Sequence, residues 1–430
     1  MTSSTVSVSR ESQVHTNRSS AMFQGREGLA WPGQVLVFAT AAVVTLLRAP
    51  GFFLHANFYA EDGRYWFAEA YNSGWFHSLF FPHVGYLSVA ERIPAGPAML
   101  VPLHLAPLVF VIWGALCQLA PIPLLLSRRL RSLGPFSFRV GLALIYLLQP
   151  GSHEVFLVDT NCMWHLAVVV LLLILAAPPA GAVQASLDIA LMVISGVSGP
   201  FSVVLTPLAI VAAAVRRTTW AIAVAVVTFA MASVQVLYVM SSQARLKGSL
   251  GATVPGFIRL FGGNLILGVT LGLRNWASHT PMIVLMMAAL LGIAVYAVCF
   301  AEGSLEWRLI VGFGVIMLFV SLRAPLMSPG EEAWPLLIAL TSMQRYWYLP
   351  GLTLLWAAAW CARAAHPRPL RWLGAVILVA LPVGMVRDFR VPTFQESGFA
   401  RQAQAFEAAP AGTIMEIPIP PGWVMELHKH

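Results

Sequence analysis

The chain has 430 residues, of which 58% are hydrophobic and only 10% are charged, and its mean hydropathy is +0.75. An ordinary soluble domain carries roughly 25% charged residues, so this composition excludes a water-soluble globular protein. Lys and Arg total 26 against 18 Asp and Glu, a formal charge of +8. In a membrane protein the position of each charge is more informative than the sum, and we do not predict nucleic-acid binding.

Apolar runs of about 20 residues recur along nearly the whole sequence, a pattern typical of transmembrane helices and not of a transmembrane barrel. We therefore predict an all-α polytopic membrane protein with about eleven transmembrane helices, within a range of roughly ten to thirteen. Residues 1–32 are expected to form a disordered cytoplasmic tail, and residues 33–386 the transmembrane bundle with its external loops. Residues 387–430 would form a short external C-terminal segment.

The first predicted span covers residues 33–47, and Arg48 is expected to snorkel to the membrane surface at its outer end. A long polar loop over residues 50–94 follows. The next apolar run, 95–126, is too long for a simple crossing, and its prolines at 102 and 107 offer break points. It ends at the basic cluster Arg128, Arg129 and Arg131. The positive-inside rule places this cluster in the cytoplasm and therefore places loop 50–94 outside.

The remaining spans alternate from there. They are predicted at residues 139–148, 163–177, 187–215 (two short helices turning near 195–200), 218–240, 281–300, 307–321, 346–360 and 372–386. A second external loop covers residues 149–162. Residues 257–276 are Gly-rich and contain Arg259 and Arg274, so a re-entrant or interfacial helix competes with a crossing there. Eleven crossings keep the basic loop 363–371 inside, with the N-terminus cytoplasmic and the C-terminus external.

The C-terminal segment is predicted to contain an amphipathic helix over residues 395–408, a short strand over 413–417 and a Pro-rich end over 418–423. It is too short to fold alone, and we expect it to lie on the external face of the bundle. The four cysteines are far apart in sequence, without the paired spacing of a zinc site, and are interpreted as packing residues.

The strongest chemical signal lies in the first loop. Glu61 and Asp62 are adjacent carboxylates beside Arg64 and Tyr65, in a segment rich in aromatic residues and histidines. A simpler interpretation is that Asp62 caps a short interfacial helix. The charged pair Glu91-Arg92 follows before the next span.

The order Glu61-Asp62-Gly63-Arg64-Tyr65, then Ala68-Glu69, then Gly74-Trp75 resembles the first external loop of the GT-C superfamily of lipid-linked-sugar glycosyltransferases. The resemblance is to the aminoarabinose and protein O-mannosyl transferases in particular. That family usually has Asp before Glu, so the reversed order here leaves open which carboxylate acts as the base. The segment Glu91-Arg92-Ile93-Pro94 keeps only one basic residue and one proline of the family's Lys-Pro-Pro type segment.

The resemblance implies transfer of a sugar from a polyprenyl-phosphate donor to a hydroxyl of an acceptor glycan or lipid, among the membrane lipids on the outer face of a bacterial plasma (inner) membrane. Glu61 or Asp62 would be the general base. Arg345, which opens a span beside aromatic residues, is our preferred cation for the lipid phosphate, ahead of Arg259 and Arg274. Substrate contacts are predicted for Arg64, Tyr65, Glu91, Arg92, Asp159, Arg345 and Tyr346.

Several alternatives remain open from the sequence. We assign no cofactor and no metal ligand, and a divalent metal ion shared by the external acids is an option that the spacing does not decide. A transporter or flippase for a lipid-linked sugar is the main alternative function, since the broken stretch near 195–200 is typical of transporters. A structural subunit of an envelope-assembly complex is a third.

Overall fold

The computed structural model describes residues 31–241, 249–323, 325, 332–339, 343–394 and 397–430. In this part of the chain six helical runs are long and apolar enough to cross a membrane: Leu103–Leu126, Thr219–Ser241, Val254–Leu271, Met282–Glu302, Leu305–Arg323 and Arg368–Arg387. The prediction of a helical membrane protein is confirmed at this level. The predicted tail over residues 1–32 lies almost wholly outside the described residues.

Shorter apolar helices complete the bundle: Trp31–Arg48, Phe136–Leu148, Cys162–Leu175, Ala182–Gly196, Phe201–Arg216 and Arg345–Cys361. The predicted break near 195–200 is confirmed, because one helix ends at Gly196 and the next begins at Phe201. The long run 95–126 is also divided as expected. A short helix, Ala95–Ala98, is separated from Leu103–Leu126 by an extended Pro102, which has no N–H to continue the helical bonding.

The loops between these helices are themselves mostly helical turns. The first loop contains Pro50–Leu54, Asp62–Phe67, Ala68–Ser73, Trp75–Ser78 and Val89–Arg92, and other turns lie at Arg128–Leu133, His153–Val155, Asp159–Asn161, Trp276–His279 and Ala333–Ala339. The core of the bundle is formed around Cys162–Leu175 and Arg345–Cys361, in which nearly every side chain is buried. All four cysteines are buried.

Arg48 corrects a prediction at one end of the bundle. It does not snorkel: its side chain is 1% exposed, and its guanidinium lies 4.3 Å from the Phe156 ring centroid. It donates hydrogen bonds to the carbonyl oxygens of Leu147 and Asp388, which end two other helices. Carbonyl groups in the last turn of a helix have no partner within the helix, so a buried arginine is satisfied by them.

At the opposite end, a second arginine connects helix ends. Arg216 donates to the carbonyl oxygens of Ile174 and Leu175 and forms an ion pair with Glu306, with 2.8 Å between nitrogen and oxygen. Arg129, from the predicted cytoplasmic cluster, lies at this same end and hydrogen-bonds the Ala177 carbonyl. Basic side chains near helix C-termini also interact favourably with the helix dipole.

The C-terminal segment differs from the prediction. The helix is Phe399–Ala408, and part of the predicted start, residues 395–396, lies outside the described residues. Two strands, β1 (Ile414–Ile419) and β2 (Trp423–His428), form an antiparallel hairpin. The interpretation of 418–423 as a Pro-rich end is wrong, because residues 420–422 are the turn of this hairpin. Side chains in β2 alternate between exposed and buried, which is the period-two pattern of a strand.

Candidate active site

A cavity of about 330 Å³ lies where the first two loops meet the bundle. This volume is in the range of small-molecule sites. Its polar lining comes from the loops and from the start of one helix: Glu61, His83, Thr160, Asn161 and Arg345. Its apolar lining comes from helices of the bundle: Phe201, Val203, Val204, Val236, Val239, Met317 and Val320. The cavity therefore combines polar and apolar lining residues.

Glu61 is the first-loop carboxylate that reaches this cavity. It immediately precedes the wide helical turn Asp62–Phe67, and its side chain is half-buried. The Thr160 hydroxyl, on the second loop, donates a long hydrogen bond to Glu61 Oε2, with 3.5 Å between the oxygens. Wide π-type turns of this kind are frequent at functional sites. The carboxylate is thus placed between two loops and open to a ligand.

Asp62 has a different environment. It is buried, and its Oδ1 accepts a hydrogen bond from the Thr160 backbone N–H at 2.8 Å. Asp62 is the first residue of the turn and Glu61 holds the N-cap position, so the interpretation of Asp62 as the helix cap is wrong. Burial raises the pKa of Asp62 well above its usual range, and the charge of Glu61 adds to the rise. These terms favour the neutral acid and make Asp62 a poor base.

Two further predicted site residues are buried close to Asp62. Glu91 and Asp159 are each 1% exposed, and neither lines the cavity. Burial raises the pKa of Glu91 to about 8. Burial, followed by the charge of Asp62, raises the pKa of Asp159 well above its usual range. None of their carboxyl oxygens has a hydrogen-bond partner among the described residues, so both groups are expected to hold a proton.

The predicted basic residues of the first loop, Arg64 and Arg92, do not line the cavity. Arg92 is fully buried, pairs with Glu69 at 2.6 Å, and lies 4.6 Å from the Trp66 ring centroid. Arg64 is exposed on the outer surface, 5.4 Å from the ring centroid of Trp423. Tyr65 packs beside it. These contacts stabilise the first loop.

Arg345 lines the cavity, together with Tyr346. Its Nη1 donates to Glu154 Oε1 at 2.6 Å, and its backbone N–H donates to Glu154 Oε2 at 3.1 Å. The arginine side chain remains 29% exposed. A guanidinium has five N–H donors, so the pair with Glu154 orients Arg345 and leaves donor capacity for an anionic ligand.

His83 is a lining residue that the sequence analysis did not select. The backbones of His83 and Tyr86 exchange hydrogen bonds of 2.8 and 3.1 Å around Val84 and Gly85, whose φ values are +50° and +86°. Positive φ at both central positions is the pattern of a type I′ turn, and a β-branched residue rarely adopts it. The only sequence signal was a single glycine, which is too weak to identify such a turn.

The His83 ring is enclosed by aromatic residues. Its centroid lies 4.4 Å from the Tyr65 ring and 4.9 Å from the Trp66 ring. Burial, followed by the charge of Arg92, lowers the pKa of His83 to about 4. The imidazole is therefore neutral at pH 7 and adds a polar, uncharged group to the cavity.

Among the described residues, no three His, Cys, Asp or Glu side chains are arranged to hold a metal ion. None of the described residues is therefore assigned as a metal ligand.

No protein-family model matches this sequence, and comparison with curated proteins finds no significant similarity.

Proposed function

We propose that the protein is a glycosyltransferase that moves a sugar from a polyprenyl-phosphate carrier to an acceptor hydroxyl. The observation that carries the proposal is the cavity, which is lined by Glu61 and Arg345 together with valines of the bundle helices. A lipid-linked sugar likewise combines polar parts, a phosphate and a sugar, with an apolar chain.

Glu61 and Arg345 supply the two groups that this transfer needs, a base and a cation. The acceptor oxygen attacks the anomeric carbon of the donor sugar and forms the new glycosidic bond. Glu61 takes the hydroxyl proton, which makes the oxygen a competent nucleophile. The bond from the anomeric carbon to the phosphate oxygen breaks, and its electron pair leaves with the polyprenyl phosphate. Arg345 stabilises the charge on that phosphate.

Glu61 is favoured over Asp62 as the base because only Glu61 lines the cavity. Asp62 has one oxygen committed to the Thr160 N–H, and its burial favours the protonated form. Asp62 would therefore organise the second loop beside Glu61. The proposal therefore takes Glu61 as the base, where the reversed order of the two acids left the choice open.

We further propose eleven crossings in a bacterial plasma membrane, with the N-terminus cytoplasmic and the C-terminus external. Two groups of helix ends support this: one around Arg48 and Asp388, the other around Arg216 and Glu306. The helical run Val254–Leu271 is flanked on both sides by contacts of the first group. Before this run, the Leu250 carbonyl accepts a hydrogen bond from the Trp334 backbone N–H, and the Trp334 indole N–H donates to the end of helix Leu305–Arg323. After this run, the Leu273 N–H donates to the Asp388 carboxylate.

A transporter or flippase for the same lipid-linked sugar is the second candidate. Pro200 and Phe201, at the break between two short helices, line the cavity. Broken helices at a ligand site are typical of transporters. The two candidates differ in outcome, since a transporter moves the intact donor and produces no glycosidic bond.

The test is transfer from a panel of radiolabelled polyprenyl-phosphate sugars in membranes that contain the protein. Val239→Trp fills the apolar part of the cavity, whereas Leu237→Trp adds the same bulk on the exposed side of the same helix, where Leu237 is 67% exposed. We expect transfer by the wild type and by Leu237→Trp, with at least about a ten-fold loss in Val239→Trp. Movement of donor without transfer would replace the glycosyltransferase proposal by the transporter.

A further inference from the structure

The turn of the C-terminal hairpin reaches the backbone that precedes Glu61. The N–H of Ala60 donates a hydrogen bond to the carbonyl oxygen of Pro420, with 2.7 Å between the atoms. Ala60 has φ +45°, a left-handed conformation that is uncommon for a residue with a Cβ. Such conformations persist only where the surrounding structure holds them. The hydrogen bond that Ala60 donates to the Pro420 carbonyl is one contact that holds Ala60 in this conformation.

A second contact lies on the other side of the two acids. A Cβ at Gly63 would come within 2.7 Å of Ile419 Cδ1 and 3.0 Å of Phe58 Cβ. Ile419, the last residue of β1, is 1% exposed, so it packs directly against the turn that carries Asp62. The hairpin therefore contacts the chain both before and after Glu61.

The hairpin is itself anchored to the first loop. The Asn72 side chain donates to the Glu426 carbonyl at 3.0 Å and accepts from the His428 N–H at 2.9 Å. Nearer the turn, one apolar cluster joins the two segments and includes Phe58, Phe67, Ile417, Met425 and Leu427. These contacts make the hairpin and the loop one packed unit.

We propose that the hairpin β1–β2 is a positioning element that holds the Glu61 carboxylate in the cavity. The hairpin lines no part of the cavity. It acts through Ala60 and Gly63, which determine the direction in which Glu61 leaves the backbone. The catalytic part of this inference rests on the proposed function, whereas the placement of Glu61 is measurable without any activity.

The direct test is hydrogen–deuterium exchange of the full-length protein in lipid nanodiscs, read in peptides that cover residues 57–67. Ile419→Ala removes the packing against the turn. Ile414→Ala is the matched control, since it makes the same change in the same strand at a side chain that is 61% exposed. We expect exchange at Ala60 to rise about ten-fold in Ile419→Ala, as the loss of one protecting hydrogen bond implies, and to stay unchanged in Ile414→Ala.

Unchanged exchange in Ile419→Ala, or an equal rise in both variants, would overturn the proposal. Ile419→Val is the second variant where Ile419→Ala does not fold, and an increase of about three-fold is expected for its smaller loss of packing. An Ile419→Val protein that exchanges like the wild type would equally overturn it.

The activity measurement separates this inference from the proposed function. A positioning role predicts that Ile419→Ala lowers kcat for transfer several-fold while the KM for the donor is unchanged, because the groups that bind the donor are intact. Faster exchange in Ile419→Ala, with no transfer by the wild type, would sustain the placement of Glu61 and remove the glycosyltransferase. Reduced transfer with unchanged exchange would overturn the hairpin's role and leave the glycosyltransferase standing.

Discussion

At the residue scale, the first two loops hold carboxyl groups in two environments. Glu61 faces the cavity, whereas Asp62, Glu91 and Asp159 are buried where an ionised carboxylate is costly. Glu61 is therefore accessible from the cavity, whereas burial raises the pKa of the other three groups and favours their neutral form. The pH dependence of stability is the measurable consequence.

Burial raises the pKa of Glu91 from its ordinary 4.5 to about 8. In the folded protein Glu91 keeps its proton up to that pH, while in the unfolded chain it loses the proton above its ordinary pKa. The unfolded state therefore binds fewer protons between about pH 4.5 and 8, and stability falls as pH rises through this window, by roughly 1.4 kcal/mol per pH unit for one such group. Thermal unfolding of the purified protein should show the decline, and Glu91→Gln should reduce it.

The control for this measurement is Glu302→Gln, which changes an exposed carboxylate. Its pH profile should match that of the wild type. A Glu91→Gln protein whose unfolding temperature declines with pH as steeply as the wild type's would contradict the assignment of a buried, protonated Glu91.

The sequence identified the residue types of the site better than their roles. Glu61, selected from the first-loop motif, and Arg345, selected because it opens a span beside aromatic residues, line the same cavity. The same motif gave equal weight to Arg64, which lies on the outer surface. Local sequence does not specify which side of a short turn faces a cavity. The orientation of the turn depends on packing against segments more than 300 residues away, such as the hairpin that contacts Arg64.

At the element scale, one glutamine joins a membrane helix to the first loop. Gln235, buried in Thr219–Ser241, accepts from the Leu87 N–H at 3.0 Å and donates to the Leu87 carbonyl at 3.2 Å. Leu87 directly follows the turn that presents His83 to the cavity. The Gln235 side chain therefore pairs with the Leu87 backbone as a neighbouring strand would. These two hydrogen bonds fix the turn against the helix.

Gln235→Leu should leave the Leu87 N–H buried and unpaired, at a cost of roughly 1–3 kcal/mol, while the Leu87 carbonyl keeps its 2.9 Å hydrogen bond from the Gly199 N–H. We expect a lower unfolding temperature and faster hydrogen exchange over residues 83–88. Ser233→Ala is the control in the same helix, since the Ser233 hydroxyl bonds only to the Phe229 carbonyl of its own turn. Equal effects of the two substitutions would show that Gln235 does not anchor the loop.

Helices were the most predictable elements. The predicted span 218–240 corresponds to Thr219–Ser241, because a long apolar run with few charges leaves little choice of structure. The hairpin was not predicted in full, because Pro420-Pro421-Gly422 is as typical of a chain end as of a turn. Only the pairing of β1 with β2 decides between them.

At the scale of the whole molecule, the placement of Val254–Leu271 is the part of the proposed topology that is most open to test. Within the described residues, both flanks of Val254–Leu271 contact the group of ends that includes Asp388. This helical run would then lie across the outer face, although its length and composition suffice for a crossing.

Single cysteines at Thr253 and Arg274, both exposed, test this arrangement. In intact cells Thr253→Cys and Arg274→Cys should both react with a membrane-impermeant maleimide. Arg217→Cys, exposed at the opposite group of helix ends, should react only after permeabilisation. The four native cysteines are buried and give a low background. Labelling of Thr253→Cys but not Arg274→Cys in intact cells would mean that Val254–Leu271 crosses the membrane.

The central claim is that Glu61 is the base of a glycosyl transfer, and the most direct measurement is the transfer rate of Glu61→Gln. Gln keeps the size and a hydrogen-bonding group but cannot take a proton, so we predict a loss of at least about 100-fold in kcat at matched protein levels. Glu302→Gln should transfer at the wild-type rate. Wild-type transfer that Glu61→Gln leaves intact would contradict the account.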